Sequence, residues 1–318
     1  MLGQIKKYKT VNRLEEFRIY YNQTIHPELV RLEHLRLRLV RLLVFSFFLL
    51  LGIILLEFYV NIFLITLVLL IPVSLYLVYL FYQIRKFQST FKPRIMDLIL
   101  NFISEELNYE ELTYDSNQSI AKKRFLDSEI FVTSAQVYQG EDYISGKIGE
   151  TDFELCELNV RETSPVDTGL NYVFKGIFLY AVFPEETEGS LMLWPRQARQ
   201  FLTRSIRQYT WSGGKNVDNE ILNPKFRKLF MAYAMPDTHV VGIMSDPMQE
   251  AIVEYIELTG KEIYLSFMDQ EIYAAITEPK DILEPSIFRS NLSFELVREF
   301  FEDIHLAINI VRDFDQMH

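Results

Sequence analysis

The chain has 318 residues, 49% of them hydrophobic, with a formal net charge of −11 and a single cysteine. Residues 1–41 carry nine Lys/Arg against four Asp/Glu, residues 42–82 carry Glu57 alone, and the remainder carries a net −15. So acidic a soluble part excludes a nucleic-acid binder, which needs a positive surface, and a lone Cys156 excludes an internal disulfide or a multi-cysteine metal site.

Residues 1–38 read as a basic, amphipathic helical arm, punctuated at His26-Pro27. Leu29, Leu32, Leu35, Leu39 and Leu42 recur at helical spacing with Arg31, Arg36, Arg38 and Arg41 between them. A juxtamembrane stalk explains the pattern, and two heptads are too few to claim a coiled coil. Residues 39–82 follow as a transmembrane hairpin, with spans at 39–56 and 60–82. As continuous helix, 42–82 measures about 62 Å, twice a hydrocarbon core. The break falls at Glu57-Phe58-Tyr59-Val60-Asn61, where Glu57 reaches the interface. Pro72 predicts a kink, and Tyr76, Tyr79 and Tyr82 form an aromatic belt. Arg36, Arg38 and Arg41 flank the pair on one side, and Arg85 and Lys86 on the other, while the turn holds no basic residue. That pattern predicts both termini in the cytoplasm. The apolar run begins too far from the start for a signal peptide.

Residues 83–130 read as a helical linker region, with a helix beginning at Phe91-Lys92-Pro93 and a short one at Ile120–Asp127. Residues 131–318 read as an acidic α+β domain, mainly antiparallel sheet with packed helices. Tyr143–Ile148 and Asp152–Glu162 make a hairpin, and Tyr172–Phe183 is a central strand. Pro184–Gly189 is an acidic turn, Ser190–Trp194 a strand, and Pro195–Tyr209 a basic amphipathic helix. Phe226–Ala234 passes from helix into strand. Asp246-Pro247 starts a helix that Gly260 stops. Glu262–Phe267 and Glu271–Ile276 form a second hairpin, and a long helix begins near Ser293.

No reactive constellation emerges. His26, His34, His239, His305 and His318 show no metal-ligand spacing, and Cys156 reads as a core thiol. Ser212-Gly213-Gly214-Lys215 fits neither a P-loop nor a Ser-x-x-Lys enzyme. The carboxylate pairs Glu105-Glu106, Glu141-Asp142 and Glu185-Glu186 read as solvated faces. No cofactor, metal or catalytic residue is expected. Arg196, Arg199, Arg204 and Arg207 share part of one helix surface in this reading and form a candidate anion or headgroup contact.

Several motifs in order carry a resemblance: Glu16-Phe17-x-x-Tyr20 with Ile25-x-Pro27-x-Leu29-x-x-Leu32-Glu33-x-x-Arg36, then two spans. They continue with Phe174-Lys175-Gly176-Ile177-Phe178, then Asn223-Pro224-x-Phe226-x-x-x-Phe230, then Ile263–Phe267 with Ile272–Ile276. The chain resembles a bacterial two-span membrane family of unknown function, domain-of-unknown-function family 3137, departing from it at Val182-Phe183-Pro184. The resemblance implies a protein of the bacterial cytoplasmic membrane and carries over no catalytic residue. The expectation is a membrane-anchored scaffold or interaction module with a cytoplasmic domain. Its partners are the lipid bilayer and other membrane or cytoplasmic proteins, with a homo-oligomer open. The alternatives are a membrane-tethered enzyme acting on lipid or envelope precursors, or a membrane sensor.

Overall fold

The computed structural model describes residues 13–60, 63–107, 112–163, 170–184, 189–281 and 283–315. Two compact units divide the chain: residues up to Phe102 with Leu283–Arg298, and Ile103–Ile282 with the residues from Glu299 onward.

The first unit is built on two long helices. Residues 13–20 are helical, a π turn spans Tyr21–Ile25, and α1 (His26–Val60) continues from it. The π turn lies just ahead of Pro27, whose ring crowds the carbonyl four residues earlier, so widening the helix there avoids a break. Helix α1 runs through Glu57 to Val60, so the break expected at Glu57-Phe58-Tyr59-Val60-Asn61 is corrected: its first four residues continue the helix, and Asn61 lies outside the described residues. Helix α2 (Phe63–Leu107) contains both Pro72 and Pro93. The expected helix start at Phe91-Lys92-Pro93 is therefore corrected to helix interior. An internal proline costs about 3 kcal/mol, and burial of Phe91, Ile95, Met96 and Ile99 around it offsets that.

The two helices run antiparallel. Phe17 meets Phe102 with ring centroids 5.3 Å apart, the Tyr20 hydroxyl donates to the Leu98 carbonyl at 3.1 Å, Arg94 pairs with Glu28 at 3.0 Å, and the Thr66 hydroxyl donates to Glu57. Burial then divides the pair. Phe17, Tyr21, Ile25, Leu29 and Leu32 are buried on one helix and Ile84, Phe87, Phe91 and Ile95 on the other. Between these stretches Phe45, Phe47, Phe48 and Leu55 of α1 and Leu64, Val68, Leu75 and Val78 of α2 are exposed, and Ser46, Ile53, Thr66, Val73 and Leu80 are buried. Only 11% of the most apolar 18-residue window of either helix is buried.

Residues 283–298 return to the base of this pair. Arg36 donates through Nε and Nη2 to both oxygens of Glu33 at 2.9 and 2.6 Å, and through Nη1 to the Ile287 carbonyl at 2.7 Å. These bonds hold the Glu33 carboxyl below its usual range despite its burial. The Tyr21 hydroxyl donates to the Leu292 carbonyl at 3.1 Å, and Lys92 pairs with Glu284 at 3.3 Å.

The second unit carries one nine-stranded antiparallel sheet. Its strands are β1 (Thr113–Asp115), β2 (Val137–Ile148), β3 (Thr151–Thr163), β4 (Leu170–Val182), β5 (Ser190–Pro195), β6 (Lys215–Asn216), β7 (Phe230–Ala234), β8 (Ile263–Met268) and β9 (Glu271–Thr277). They lie in the order β1-β2-β3-β4-β9-β8-β5-β7-β6. The class is α+β, as the sequence indicates. The edge strands are short, which limits sheet-to-sheet pairing. Successive side chains alternate between faces. Phe174 and Phe178 of β4 join Phe125 of α3 (Lys122–Asp127) and Trp194 in one core, while Ile177 and Leu155 meet Phe300 and Ile304 of α8 (Phe294–Asp315) on the other side.

Helix α4 (Thr203–Trp211) and α5 (Pro224–Leu229) follow, α5 running directly into β7. The short α6 (Val240–Ile243) comes next, and then α7 (Asp246–Thr259). The N-cap of α7 is Ser245, one residue before the expected Asp246, because its hydroxyl reaches the Met248 amide at 3.1 Å. Gly260, at φ 69°, ends the helix.

Lys261 fastens α7 and α8 to the sheet. Its Nζ lies 2.7 Å from both Asp303 oxygens and 2.7 Å from Glu278, and the Tyr255 hydroxyl also donates to Asp303. Two carboxylates outweigh burial and hold the lysine above its usual pKa. Lys261→Met strands the buried Asp303 without a counter-charge and should cost about 3–5 kcal/mol. Burial holds the Asp303 carboxyl above its usual pKa even with the lysine in place, and loss of Lys261 raises it further. The variant's deficit should therefore shrink as pH falls and Asp303 protonates, which thermal melts at several pH values in detergent measure.

Candidate functional site

Strand β3 pairs with β4 along its whole length, from Leu170 to Val182, but β9 pairs with it only from Gly176 to Val182. The last tie is the Glu278 amide donating to the Lys175 carbonyl at 2.9 Å. Among the described residues, Leu170–Phe174 therefore has a strand on one side only. Gly176 is where the sheet forks. Its φ is 148°, and a Cβ there would lie 2.0 Å from the Ile276 carbonyl oxygen, so no other residue fits without moving β9.

A groove of about 370 Å³ opens beside this free edge. Tyr172, Phe174, Ala198, Phe201 and Tyr264 supply its apolar lining, and Lys175, Gln197, Glu262 and Thr277 its polar one. Phe131 backs it, stacked on Phe174 at 5.5 Å and tilted against Tyr264 at 4.9 Å. Tyr172 and Phe201 are more than half exposed, and Arg161 sits 4.5 Å over the Tyr172 ring. The two charged groups are engaged: Lys175 binds Asp281 at 2.7 Å and the Pro279 carbonyl at 3.0 Å, and Glu262 accepts from the Tyr264 hydroxyl at 2.7 Å. The size suits a ligand or an inserted side chain, and the lining suits apolar contact more than chemistry.

The four arginines singled out in the sequence fall on two elements, not one helix surface. Arg196 lies in a 3₁₀ turn (Arg196–Ala198), bound to Asp218 at 2.5 Å and to the Arg227 carbonyl at 2.8 Å. The chain turns again at 199–202 to bury Leu202, and α4 starts only at Thr203. Arg204 reaches Glu162 at 3.4 Å, Arg207 lies 5.9 Å over the Trp211 ring, and Arg199 is exposed.

Among the carboxylate pairs, Glu141-Asp142 gains a third member. A bulge between Glu141 and Ile144 turns Asp142 to φ 58°, and the register sets Glu141 opposite Glu157. One oxygen from each of Glu141, Asp142 and Glu157 lies within 4.8 Å of the others. The Tyr114 hydroxyl donates to Asp142 at 2.6 Å. Such a trio offers hard oxygen ligands of the kind that divalent cations take, but it consists of acidic side chains alone and carries no functional conclusion. Glu157 was not readable beside the other two, since the bulge sets the pairing. Glu185-Glu186 and His318 lie outside the described residues, as do the side chains of Glu105-Glu106.

Cys156 is buried, and the Ile120 amide points at its sulfur at 3.4 Å. Burial pushes its thiol up to about 12, the reverse of an activated nucleophile. The cavity that it lines with Asp142 and Glu157 is about 10 Å³, room for one water at most. His305 stacks on Phe301 at 5.4 Å.

These features define an α+β protein with two helices long and apolar enough to cross a membrane and a solvent-open groove at a forked sheet. Residues 172–316 match the family described as "Protein of unknown function (DUF3137)", which bears out the resemblance over the β4, α5–β7 and β8–β9 motifs. The N-terminal motif and the two long helices precede the matched residues. No curated protein matches. Among solved structures, the crystal structure of the mycobacterial trehalose monomycolate transport factor A, TtfA, is similar at 9% identity over 61% of this chain and 88% of that one. Its TM-score is 0.32, which carries no conclusion here.

Cys156 should resist alkylation by a maleimide at pH 8 in the folded protein and react fully once denatured. Mass spectrometry of the labelled chain reads this, and rapid labelling of the folded chain would contradict a buried, protonated thiol.

Proposed function

We propose that the chain is an integral membrane protein whose α1–α2 hairpin anchors a non-catalytic interaction module, with both termini in the cytoplasm. The observation that carries this reading is the exposed apolar band on two paired helices. A core helix of a soluble protein buries such a surface, whereas here 11% of the most apolar window is buried. The spans 39–56 and 63–82 measure about 27 and 30 Å as helix, matching one hydrocarbon thickness each. Ser46 and Thr66, small and polar, face the helix partner, as suits packing in lipid. Eight basic residues flank the spans and none lies in the turn, which supports the orientation.

The open edge Leu170–Phe174 and its aromatic groove support an interaction role. An extended segment of a partner can add to the edge through backbone hydrogen bonds while seating an apolar side chain against Phe201 and Tyr264. The groove gathers no nucleophile–base pair, which favours a scaffold over a tethered enzyme.

Extraction of native membranes at alkaline pH should leave the full-length chain in the pellet, and detergent should release it. A reporter active only outside the cytoplasmic membrane, fused after His318, should be silent. Release by alkali would refute the anchor, and an active fusion would refute the orientation.

A further inference from the structure

We infer that the loop Ser286–Asn291 is a third membrane contact, docking on lipid headgroups through Phe288 and Arg289. This rests on the membrane reading proposed above and adds to it a segment some 250 residues away from α1 in sequence.

The loop is built, not slack. The Ser286 amide donates to Asn291 Oδ1 at 2.9 Å, Asn291 Nδ2 donates back to the Ser286 carbonyl at 3.0 Å, and the Arg289 amide donates to Ser286 Oγ at 3.0 Å. Both ends are tied to α1: Arg36 holds the Ile287 carbonyl at 2.7 Å, and Glu33 accepts from the Asn291 amide at 3.4 Å. Ile287 and Asn291 are buried, while Phe288, Arg289 and Ser290 between them are exposed, Phe288 at 77%. A rigid loop therefore presents a phenyl ring and a guanidinium to the surroundings.

Its height along the helices points to the occupant. Arg36 precedes Leu39, where the first span begins, by three residues, or about 4.5 Å of helix. Glu33 lies about 4.5 Å further back. The headgroup layer on each side of a bilayer is about 5–8 Å thick. The contacts to Arg36 and Glu33 thus set the loop beside that layer. At that depth an aromatic ring is favoured and a cation meets lipid phosphate. Arg38, Arg41, Arg85 and Lys86 lie at comparable heights on the two helices, so Arg289 extends an existing basic collar.

The test places an environment-sensitive fluorophore on the full-length protein in nanodiscs of phosphatidylcholine and phosphatidylglycerol. Labels go on Phe288→Cys, Ser290→Cys, Phe45→Cys and Ile19→Cys in turn, in a Cys156→Ala background. Ile19 is exposed but lies twenty residues before Leu39, well clear of the bilayer. Lipids carrying a headgroup spin label should quench Phe288→Cys or Ser290→Cys strongly, and Ile19→Cys little. Lipids with the spin label deep in the acyl chain should quench Phe45→Cys. If Phe45→Cys is quenched while both loop positions behave like Ile19→Cys, the loop contact is overturned and the anchor stands. If Phe45→Cys escapes quenching, the anchor fails and takes this inference with it.

Discussion

Helices of 35 and 45 residues run side by side, and the surface buried on them changes character part-way. Near the base, Phe17, Tyr20 and Phe102 pack as in a water-soluble core, and Glu28–Arg94 bridges the pair at its rim. Beyond Arg36 on one helix and Leu80 on the other, the buried seam narrows to Ser46, Ile53, Thr66 and Val73, and phenylalanine and leucine turn outward. Under the membrane reading proposed above, the same antiparallel pairing serves two solvents. In water the apolar stripe faces inward and drives association. In hydrocarbon no such drive exists, and small or hydroxyl-bearing residues allow close approach instead.

The transition is marked by a buried ion pair. Arg36 and Glu33 are each less than a tenth exposed, at the last turn before the apolar band. Removing charges from water is costly unless they are paired and each charged nitrogen is hydrogen-bonded. Arg36 meets that condition with a bidentate carboxylate and a backbone carbonyl supplied 251 residues away. The pair therefore does more than neutralise charge. It selects where residues 283–298 attach, since an apolar isostere of Arg36 would pack as well without specifying the Ile287 carbonyl.

Much of this was legible from local pattern. The apolar run, the α5-to-β7 transition at Phe230, the β8–β9 hairpin and the start of α8 each follow from periodicity and punctuation within a short window. What was not legible depends on distant partners. Pro93 reads as a boundary until the packing around Phe91 and Ile95 is known. The insertion of β9 beside β4, and of β5 between β8 and β7, follows no local signal. Gly176 stood in a named motif, yet its need for glycine appears only when the Ile276 carbonyl is placed against it. The candidate groove was missed for the same reason: Tyr172, Phe201 and Tyr264 converge only through the sheet fork.

Charge is segregated along the chain, and this shapes how each part can meet a membrane. The residues after the spans carry a net −15 and gain nothing from an anionic lipid surface, whereas the stretch before them carries +5. Screening confines such forces to about 8 Å at physiological salt. Net charge therefore matters less than which few residues stand within that distance of the headgroups. On the docking inferred for Ser286–Asn291, the Arg289 guanidinium acts there as strongly as one on the helices, however acidic the rest of the molecule is. Conversely, Arg196 and Arg204, already committed to Asp218 and Glu162, bring little free positive charge to any surface they approach.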